Sequence, residues 1–295
     1  MAVRHDPIVG KYAYVSYGGR EYRVFYEEAG EGIPLVCLHT AGTDSREWRH
    51  QLSDPEINSN FRVIAFDLPR HGKSIPPPGF EREEYRLTAE FYSEFVIAFC
   101  DALELERPVV MGSSMGGNIC LHLALNFEER LRALIAIEAC DHSPGWFISW
   151  LHHPEIHGGE VCATSVFGLM APQSPEDYRW ETWWYYSQGG PGIFKGDLYF
   201  YSVDHDFREL NGRISGRVPI YFMTGVYDFA CTPEMTSRTA EKVKGSETII
   251  MEEIGHFPMS ENPVTFKKYL MPVLDKIRAA TTGAEEAAVG ATRGG

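Results

Sequence analysis

Three features of this 295-residue sequence predict an α/β protein built on a mostly parallel sheet. Short runs rich in β-branched residues recur along the chain, they are apolar on both faces, and amphipathic stretches long enough for helical crossovers separate them. Strands that are apolar on both faces have to be covered on both sides. We therefore expect one sheet with a layer of helices on each face.

Eight strands are predicted for this sheet. Two alternating segments near the start of the chain, 12–17 and 21–27, are joined by Gly18 and Gly19, which is typical of an antiparallel hairpin. We place this hairpin at the edge of the sheet. The other six strands are predicted at residues 33–39, 61–67, 108–112, 133–138, 218–224 and 248–251.

Helical periodicity follows several of these strands. It is found at residues 87–103, 116–126, 233–243 and 263–279. Thr232 is the expected N-cap of the third of these helices, because Pro233 then occupies the first helical position, where its missing N–H costs nothing.

The alternation of strands and helices fails between residues 141 and 212, where Pro, Gly and aromatic residues dominate. We interpret 1–140 and 213–280 as the core and 141–212 as an inserted, mostly helical lid. Most of the lid's aromatic residues should form a small core that holds the lid on the sheet, and the others are expected to line a pocket. Residues 281–295, rich in Ala, Gly, Thr and Glu and without periodicity, are expected to be a disordered tail.

Composition restricts the partners and the location of the protein. The net charge is −14 and no cluster of Lys and Arg interrupts the acidic character, so nucleic acid and anionic membranes are excluded as partners. No apolar stretch approaches the roughly 18 residues of a membrane span, and the N-terminus does not resemble a signal peptide. Of the six scattered cysteines, the first four lie in apolar runs and are expected to be buried and reduced, which indicates a cytoplasmic protein.

A G-x-S-x-G motif, Gly112-Ser113-Ser114-Met115-Gly116, lies between a predicted strand and a predicted helix. A serine at such a tight turn needs strained backbone angles and small neighbours, and it is exposed for nucleophilic attack. Ser113 is the competing serine, but Met111 stands where its first glycine would be. The motif therefore predicts Ser114 as a nucleophile.

A serine hydroxyl needs a base to take its proton and an acid to orient that base. His256 follows the last predicted strand, has a glycine before it, and is the predicted base. Asp228 lies on the loop after the strand at 218–224 and is the predicted acid. Glu138 and Asp141, at the end of another strand, are alternative acids.

An oxyanion hole is the fourth element that such a site requires, because the reaction places negative charge on a former carbonyl oxygen. The Met115 N–H, directly after the nucleophile, is predicted to be one donor. The second is expected from the loop His39-Thr40-Ala41-Gly42. Ala41 is our choice by position, and Thr40 is the alternative.

These motifs, in this order, resemble the α/β-hydrolase superfamily over about residues 12 to 280, and in particular its single-chain esterase and C–C hydrolase branch with a lid after strand six. The segment 67–74, Asp-Leu-Pro-Arg-His-Gly-Lys-Ser, is similar to the family's D-x-x-G-x-G-x-S turn, except that Arg70 replaces the first glycine. Thr40 likewise stands where the family commonly has a glycine. The resemblance implies an acyl-enzyme mechanism on Ser114 that needs no cofactor.

Substrate contacts are expected from the lid and from the loop after the first parallel strand. The predicted substrate-binding residues are His39, Trp146, Trp183, Trp184 and Tyr185. No metal site is predicted, because Pro154 interrupts the helical spacing of the possible ligands His152, His153, Glu155 and His157.

Hydrolysis of a carboxylic ester or lactone of a bulky, largely apolar small molecule is the first functional hypothesis. Hydrolysis of a C–C bond in a diketone-type ring-cleavage product uses the same three residues, and amide or carbamate cleavage is a further alternative. A non-catalytic receptor with a hydrolase fold is the alternative from another class, since fold does not determine function. The oligomeric state is open, and a homodimer is compatible with the sequence.

Overall fold

The structure, a computed structural model, describes residues 3–148, 156 and 158–293, with residues 284–293 described by their backbone alone. It contains one open sheet of eight strands in the order β1-β2-β4-β3-β5-β6-β7-β8. The strands are β1 (Val9–Tyr17), β2 (Arg20–Ala29), β3 (Ile33–Leu38), β4 (Phe61–Phe66), β5 (Val109–Ser113), β6 (Ala133–Ile137), β7 (Ile220–Gly225) and β8 (Ser246–Met251). All eight predicted strands are confirmed.

Strands β1 and β2 form the predicted antiparallel hairpin, and β2 pairs antiparallel with β4. The remaining pairs are parallel, so the carboxyl ends of β3, β5, β6, β7 and β8 lie at the same edge. The loops that carry the predicted site residues begin at this edge, as expected for an open α/β sheet.

Ten α-helices are found among the described residues. They are α1 (Arg49–Leu52), α2 (Pro55–Asn58), α3 (Ala89–Ala102), α4 (Met115–Asn126), α5 (Gly158–Phe167), α6 (Glu176–Tyr186), α7 (Ile193–Tyr199), α8 (Pro233–Ala240), α9 (Pro258–Glu261) and α10 (Pro263–Arg293). The predicted cap of α8 is confirmed, since the Thr232 hydroxyl accepts from the Met235 amide and Pro233 opens the helix.

Successive residues of each central strand contribute to different faces of the sheet, which explains the two-sided apolar runs. Val36 and Val110 pack in one core cluster with residues of α3 and α4. Their neighbours Leu35 and Val109 pack in a second cluster with residues of α1 and α10. The helical layers on both faces are therefore confirmed.

The segment between β6 and β7 holds α5, α6, α7 and a π-helix (Phe200–Asp204), as expected for a mostly helical lid. The backbone of α10 continues to Arg293, so the prediction that this helix ends near 279 and gives way to a disordered tail at 281 is wrong for 281–293. The loss of apolar periodicity removes a reason to pack, but Ala and Glu are strong helix formers in any environment.

All six cysteines are buried and free of disulfides, which agrees with the expectation made for the first four. No helix in the described part of the chain is long and apolar enough to cross a membrane.

Candidate active site

Ser114 lies between the end of β5 and the start of α4, where its backbone has φ 57° and ψ −115°. This conformation is rare for a residue with a side chain, and it is held by hydrogen bonds from Ser114 N to Ile137 O (2.9 Å) and from Asn118 N to Ser114 O (2.8 Å). A Cβ atom on Gly112 would overlap the carbonyl group of Gly116. The strained serine with small neighbours is thus present as predicted.

His256 and Asp228 are brought together by the loops after β8 and β7. The Nδ1 atom of His256 donates to Asp228 Oδ2 at 2.7 Å, and Asp228 Oδ1 accepts from the amides of Ala230 (2.7 Å) and Cys231 (3.1 Å). Burial alone would raise the pKa of Asp228, but the His256 ring and the hydrogen bonds hold it below its ordinary value. With Nδ1 facing the acid, Nε2 is the nitrogen of His256 left to act as a base. His256 lines the same cavity as Ser114.

The His256 loop is attached to the lid by a buried carboxylate that the sequence analysis missed. Glu261 accepts from the Gly255 amide (2.7 Å) and the Phe257 amide (3.2 Å), on either side of His256. It also accepts from the Ala171 amide (3.1 Å) in the lid. Its position five residues after His256 was a visible signal, but only the fold reveals its partners.

The oxyanion loop distinguishes between the two predicted donors. The Thr40 amide is occupied, because it donates to Glu47 Oε2 at 2.9 Å. Among the described residues no acceptor pairs with the amides of Ala41 or Met115, and Ala41 lines the cavity. The geometry therefore favours Ala41 with Met115 and removes Thr40 as the direct donor.

Glu47 is a second residue that the sequence analysis missed. Its Oε1 accepts from the Thr40 hydroxyl at 2.7 Å, and Thr40 Oγ1 also makes a hydrogen bond with the Tyr186 hydroxyl. Burial raises the pKa of Glu47 to about 8, although its hydrogen bonds with Thr40 oppose this change. Thr40 thus supports the loop from behind while Ala41 faces the cavity.

Asp197, on lid helix α7, holds the same loop from the other side. Its carboxylate accepts from the Gly42 amide (2.7 Å), from His71 Nε2 (2.8 Å) and from the Tyr85 hydroxyl (2.7 Å). Burial would lower the pKa of His71, but the Asp197 charge raises it above the ordinary value. The lid, the oxyanion loop and the turn after β4 therefore meet at one buried carboxylate.

The cavity at Ser114 has a volume of about 90 Å³. Within the described part of the chain no Lys, Arg, Asp or Glu side chain lines it, and most of its lining side chains are apolar. Its lining residues are Ala41, Ser114, Trp146, Ile148, Ser165, Val166, Leu169, Tyr186, Phe194, Leu198, Tyr201, Ala230, His256 and Phe257.

Of the predicted substrate-binding residues, the structure brings only Trp146 to this cavity. His39 is buried behind the oxyanion loop, where its Nε2 accepts from the Leu68 amide at 3.2 Å. Trp184 is 58% exposed, Trp183 packs edge-on against Trp180, and Tyr185 bonds to Glu181. None of these three residues of helix α6 lines the cavity, whereas Tyr186, the last residue of the helix, does. His39, Trp183, Trp184 and Tyr185 thus do not line the cavity at Ser114, and their contact with a substrate stays a prediction.

The alternative acids Glu138 and Asp141 do not bond to His256. Asp141 is paired with Asn211 Nδ2 (3.0 Å) and with Lys242 Nζ (3.3 Å), which gives it a structural role. Glu138 accepts from the Gly225 amide at 2.9 Å and lies beside Asp228. The structure thus selects Asp228 as the partner of His256.

Two groups of residues offer possible metal ligands. His152, His153, Glu155 and His157 lie outside the described residues. Glu138, Asp228 and His256 offer ligand atoms within 4.8 Å of one another. A cation there would have to displace the His256 Nδ1–H donation to Asp228, so this cluster does not fit a metal without losing the orientation of the histidine.

The chain is similar in sequence to a known protein family and to several curated proteins. A family model described as the alpha/beta hydrolase fold matches residues 33–156. The 2-hydroxy-6-oxononadienedioate/2-hydroxy-6-oxononatrienedioate hydrolase of Paraburkholderia phymatum is 32% identical over 48% of this chain and 49% of the relative. Bifunctional epoxide hydrolase 2 of Mus musculus is 23% identical over 84% of this chain and 53% of the relative. The alignments thus span about half the length of these curated relatives.

Solved structures extend the similarity to the whole fold. An esterase from Thermogutta terrifontis superimposes with a TM-score of 0.79 and 20% identity, over 92% of this chain and 99% of the other. An enol-lactonase from Burkholderia xenovorans gives a TM-score of 0.77 at 20% identity, over 89% and 99%. At such identities the likeness establishes the fold alone.

Proposed function

We propose that this chain is an α/β-hydrolase that cleaves carboxylic esters or lactones of a small, largely apolar molecule through an acyl-enzyme on Ser114. The observation that carries the proposal is one cavity that contains the strained Ser114 and His256, with His256 bonded to the buried Asp228. Such an arrangement supplies a nucleophile, a base and an orienting acid in one place.

In the proposed reaction, His256 Nε2 accepts the proton of the Ser114 hydroxyl while Ser114 Oγ attacks the ester carbonyl. The amides of Ala41 and Met115 stabilise the negative oxygen of the tetrahedral intermediate. His256 then gives its proton to the departing alcohol, which leaves an acyl group on Ser114. A water molecule deprotonated by His256 attacks the acyl group, and the carboxylic acid and the free serine are released.

The cavity favours a short acyl group over the bulky one that the aromatic lid predicted. Its volume of about 90 Å³ is smaller than the range typical of sites for drug-sized ligands. Trp146 and Phe194 lie among the lining residues, so their aromatic rings also limit the size of the acyl group that can enter.

Cleavage of a C–C bond is the second candidate, because several relatives at about 30% identity are named as hydrolases of such products. The substrate in the name of the Paraburkholderia phymatum enzyme is a dioate, which carries two carboxylates. A buried carboxylate needs a cation or several donors. No Lys or Arg lines the cavity among the described residues, which favours a neutral ester.

Opening of an epoxide, named for other relatives, is disfavoured by the nucleophile. A serine that attacked an epoxide would form an ether, and a water activated by His256 has no carbonyl carbon to attack in it. An ester intermediate, in contrast, is hydrolysed by the same histidine.

A series of p-nitrophenyl esters from acetate to decanoate tests the proposal. We expect kcat/KM to be highest for acetate or butyrate and to fall at least tenfold by decanoate. Ser114→Ala should abolish hydrolysis and labelling by a fluorophosphonate probe, whereas Ser113→Ala, the buried neighbour in β5, should retain both. Absence of labelling in the wild-type protein would favour the non-catalytic receptor, and turnover of a ring-cleavage diketone but of no ester would favour the second candidate.

A further inference from the structure

A second buried carboxyl group lies beside the acid of the proposed triad. Glu138 directly follows β6, its backbone has φ 48°, an uncommon conformation for a residue with a side chain, and it is fully buried. One of its carboxyl oxygens, one of Asp228 and one ring nitrogen of His256 all lie within 4.8 Å of one another.

The hydrogen bonds at this cluster are distributed unequally between the two acids. Asp228 receives three N–H donors, from His256 and from the amides of Ala230 and Cys231. Glu138 receives only the Gly225 amide, on Oε1, and no described N–H or O–H group donates to its Oε2. The charge is therefore stabilised on Asp228 and not on Glu138.

Two buried carboxyl groups at this separation cannot both be ionised without a cation between them. The titratable groups that face Glu138 are Asp228 from the loop after β7, His256 from the loop after β8 and Glu261 from α9. Burial and the charge of Asp228 hold the pKa of Glu138 well above its usual range.

From this geometry we infer that Glu138 is a positioning residue: a neutral carboxylic acid that donates its proton to Asp228, and a reserve acid that accepts from His256 when Asp228 is removed. The inference rests on the proposed function, because it concerns the orientation of the same histidine. Asp228, in the loop after β7, is then the acid that orients His256, and Glu138, directly after β6, holds Asp228 in position.

The role in the wild-type protein is tested at Glu138 itself, by ester hydrolysis from pH 5 to 9. Glu138→Leu removes the donor and should lower kcat/KM at least tenfold. Glu138→Gln keeps an N–H donor of the same shape, so it should recover most of that loss and leave the acid limb of the profile in place. If Glu138 were ionised in the wild type, Glu138→Gln would instead move the acid limb by about one pH unit or more. Equal impairment of the two variants would also contradict the inference.

The reserve role is tested in the Asp228→Asn background. Loss of the acid alone costs such triads about 10⁴-fold. With Glu138 as a substitute, Asp228→Asn should be at least tenfold more active than Asp228→Asn/Glu138→Gln, and its activity should rise toward alkaline pH as Glu138 loses its proton. Asp141→Asn is the matched control, because Asp141 lies near the same strand end but is paired with Lys242 and Asn211. Added to Asp228→Asn, it should leave the activity of that variant unchanged. Equal activity of the single and double variants would overturn the reserve role.

The rate of fluorophosphonate labelling separates this inference from the proposed function. If the wild type is not labelled, the proposed function fails. If the wild type is labelled and the Glu138 variants behave like their controls, the function stands and the inference fails. Asp228→Ala, which leaves more room for the Glu138 side chain, gives an independent version of the same comparison if Asp228→Asn does not fold.

Discussion

At the residue scale, the site depends on a few positions where a side chain is either excluded or held by many donors. Gly112 and Gly117 have no side chain because the carbonyl groups of Gly116 and Ile137 approach them closely. Glu261 shows the opposite requirement, since four donors in the His256 loop and the lid converge on one carboxylate. Burial raises its pKa, which those donors partly offset.

Gly112→Ala should destabilise the protein by at least about 2 kcal/mol, because the added methyl group overlaps the backbone of α4 and has no room to relax. Gly212→Ala is the control, since a Cβ at that position meets no atom within 4 Å. Urea denaturation of both variants measures the effect. Equal midpoints for the two variants would show that the turn after β5 tolerates a larger residue.

At the element scale, lid helix α7 is coupled to the oxyanion loop through Asp197. The three groups that donate to Asp197 come from the loop after β3, the turn after β4 and Tyr85 in the segment before α3. A buried carboxylate that bridges three elements fixes their relative positions as long as every donor is satisfied.

Asp197→Asn tests this coupling. Oδ2 of Asp197 accepts from both the Gly42 amide and His71, and Oδ1 accepts from the Tyr85 hydroxyl, so the new N–H faces either the first two donors or that hydroxyl, at a cost of about 1 to 3 kcal/mol. We expect a lower unfolding midpoint and a fall in kcat of about tenfold or more, because the neighbouring Ala41 amide is no longer held in place. Asp177→Asn, exposed on lid helix α6, should change neither. An unchanged kcat together with a lower midpoint would restrict Asp197 to a structural role.

At the scale of the whole molecule, the buried histidines make stability depend on pH. His205 donates from Nε2 to Cys140 O at 2.8 Å, so its Nδ1 is the acceptor of the 3.0 Å bond from His122 Nε2. Burial favours the neutral form of both rings in the folded state. Burial lowers the pKa of His205 to about 4 and that of His122 to about 3.

The unfolded chain binds protons on these histidines near pH 6.5, while the folded chain does so only near pH 3 to 4. Their contribution to stability is thus present above pH 6.5 and is lost as the pH falls, by up to about 1.4 kcal/mol per pH unit for each ring. His122→Phe removes one ring, so the free energy of unfolding of the wild type relative to this variant should decline between pH 6 and pH 4. Urea titrations at each pH measure it, with exposed His5→Gln as the control. A constant difference would contradict the neutral pairing.

The sequence by itself determined the eight strands, the sharp turn at Ser114 and the choice of Asp228 and His256. Each of these depends on a local pattern: a short apolar run, then a glycine or a polar residue where the strand ends. Because parallel strands carry their loops to one edge, local patterns were enough to predict which loops meet. They failed at 281–293, where composition indicated disorder and the backbone continues as a helix.

Only the tertiary structure decided which neighbouring groups face the cavity. Thr40 is occupied by Glu47 while Ala41 is not, Tyr186 rather than Tyr185 reaches Ser114, and Glu138 rather than Asp141 lies beside Asp228. In each case the competing residues are close in the chain and chemically similar. The competing residues differ in the partners they contact. For Thr40 these partners are 7 and 146 positions away in the sequence, and packing, not local spacing, decides where they lie.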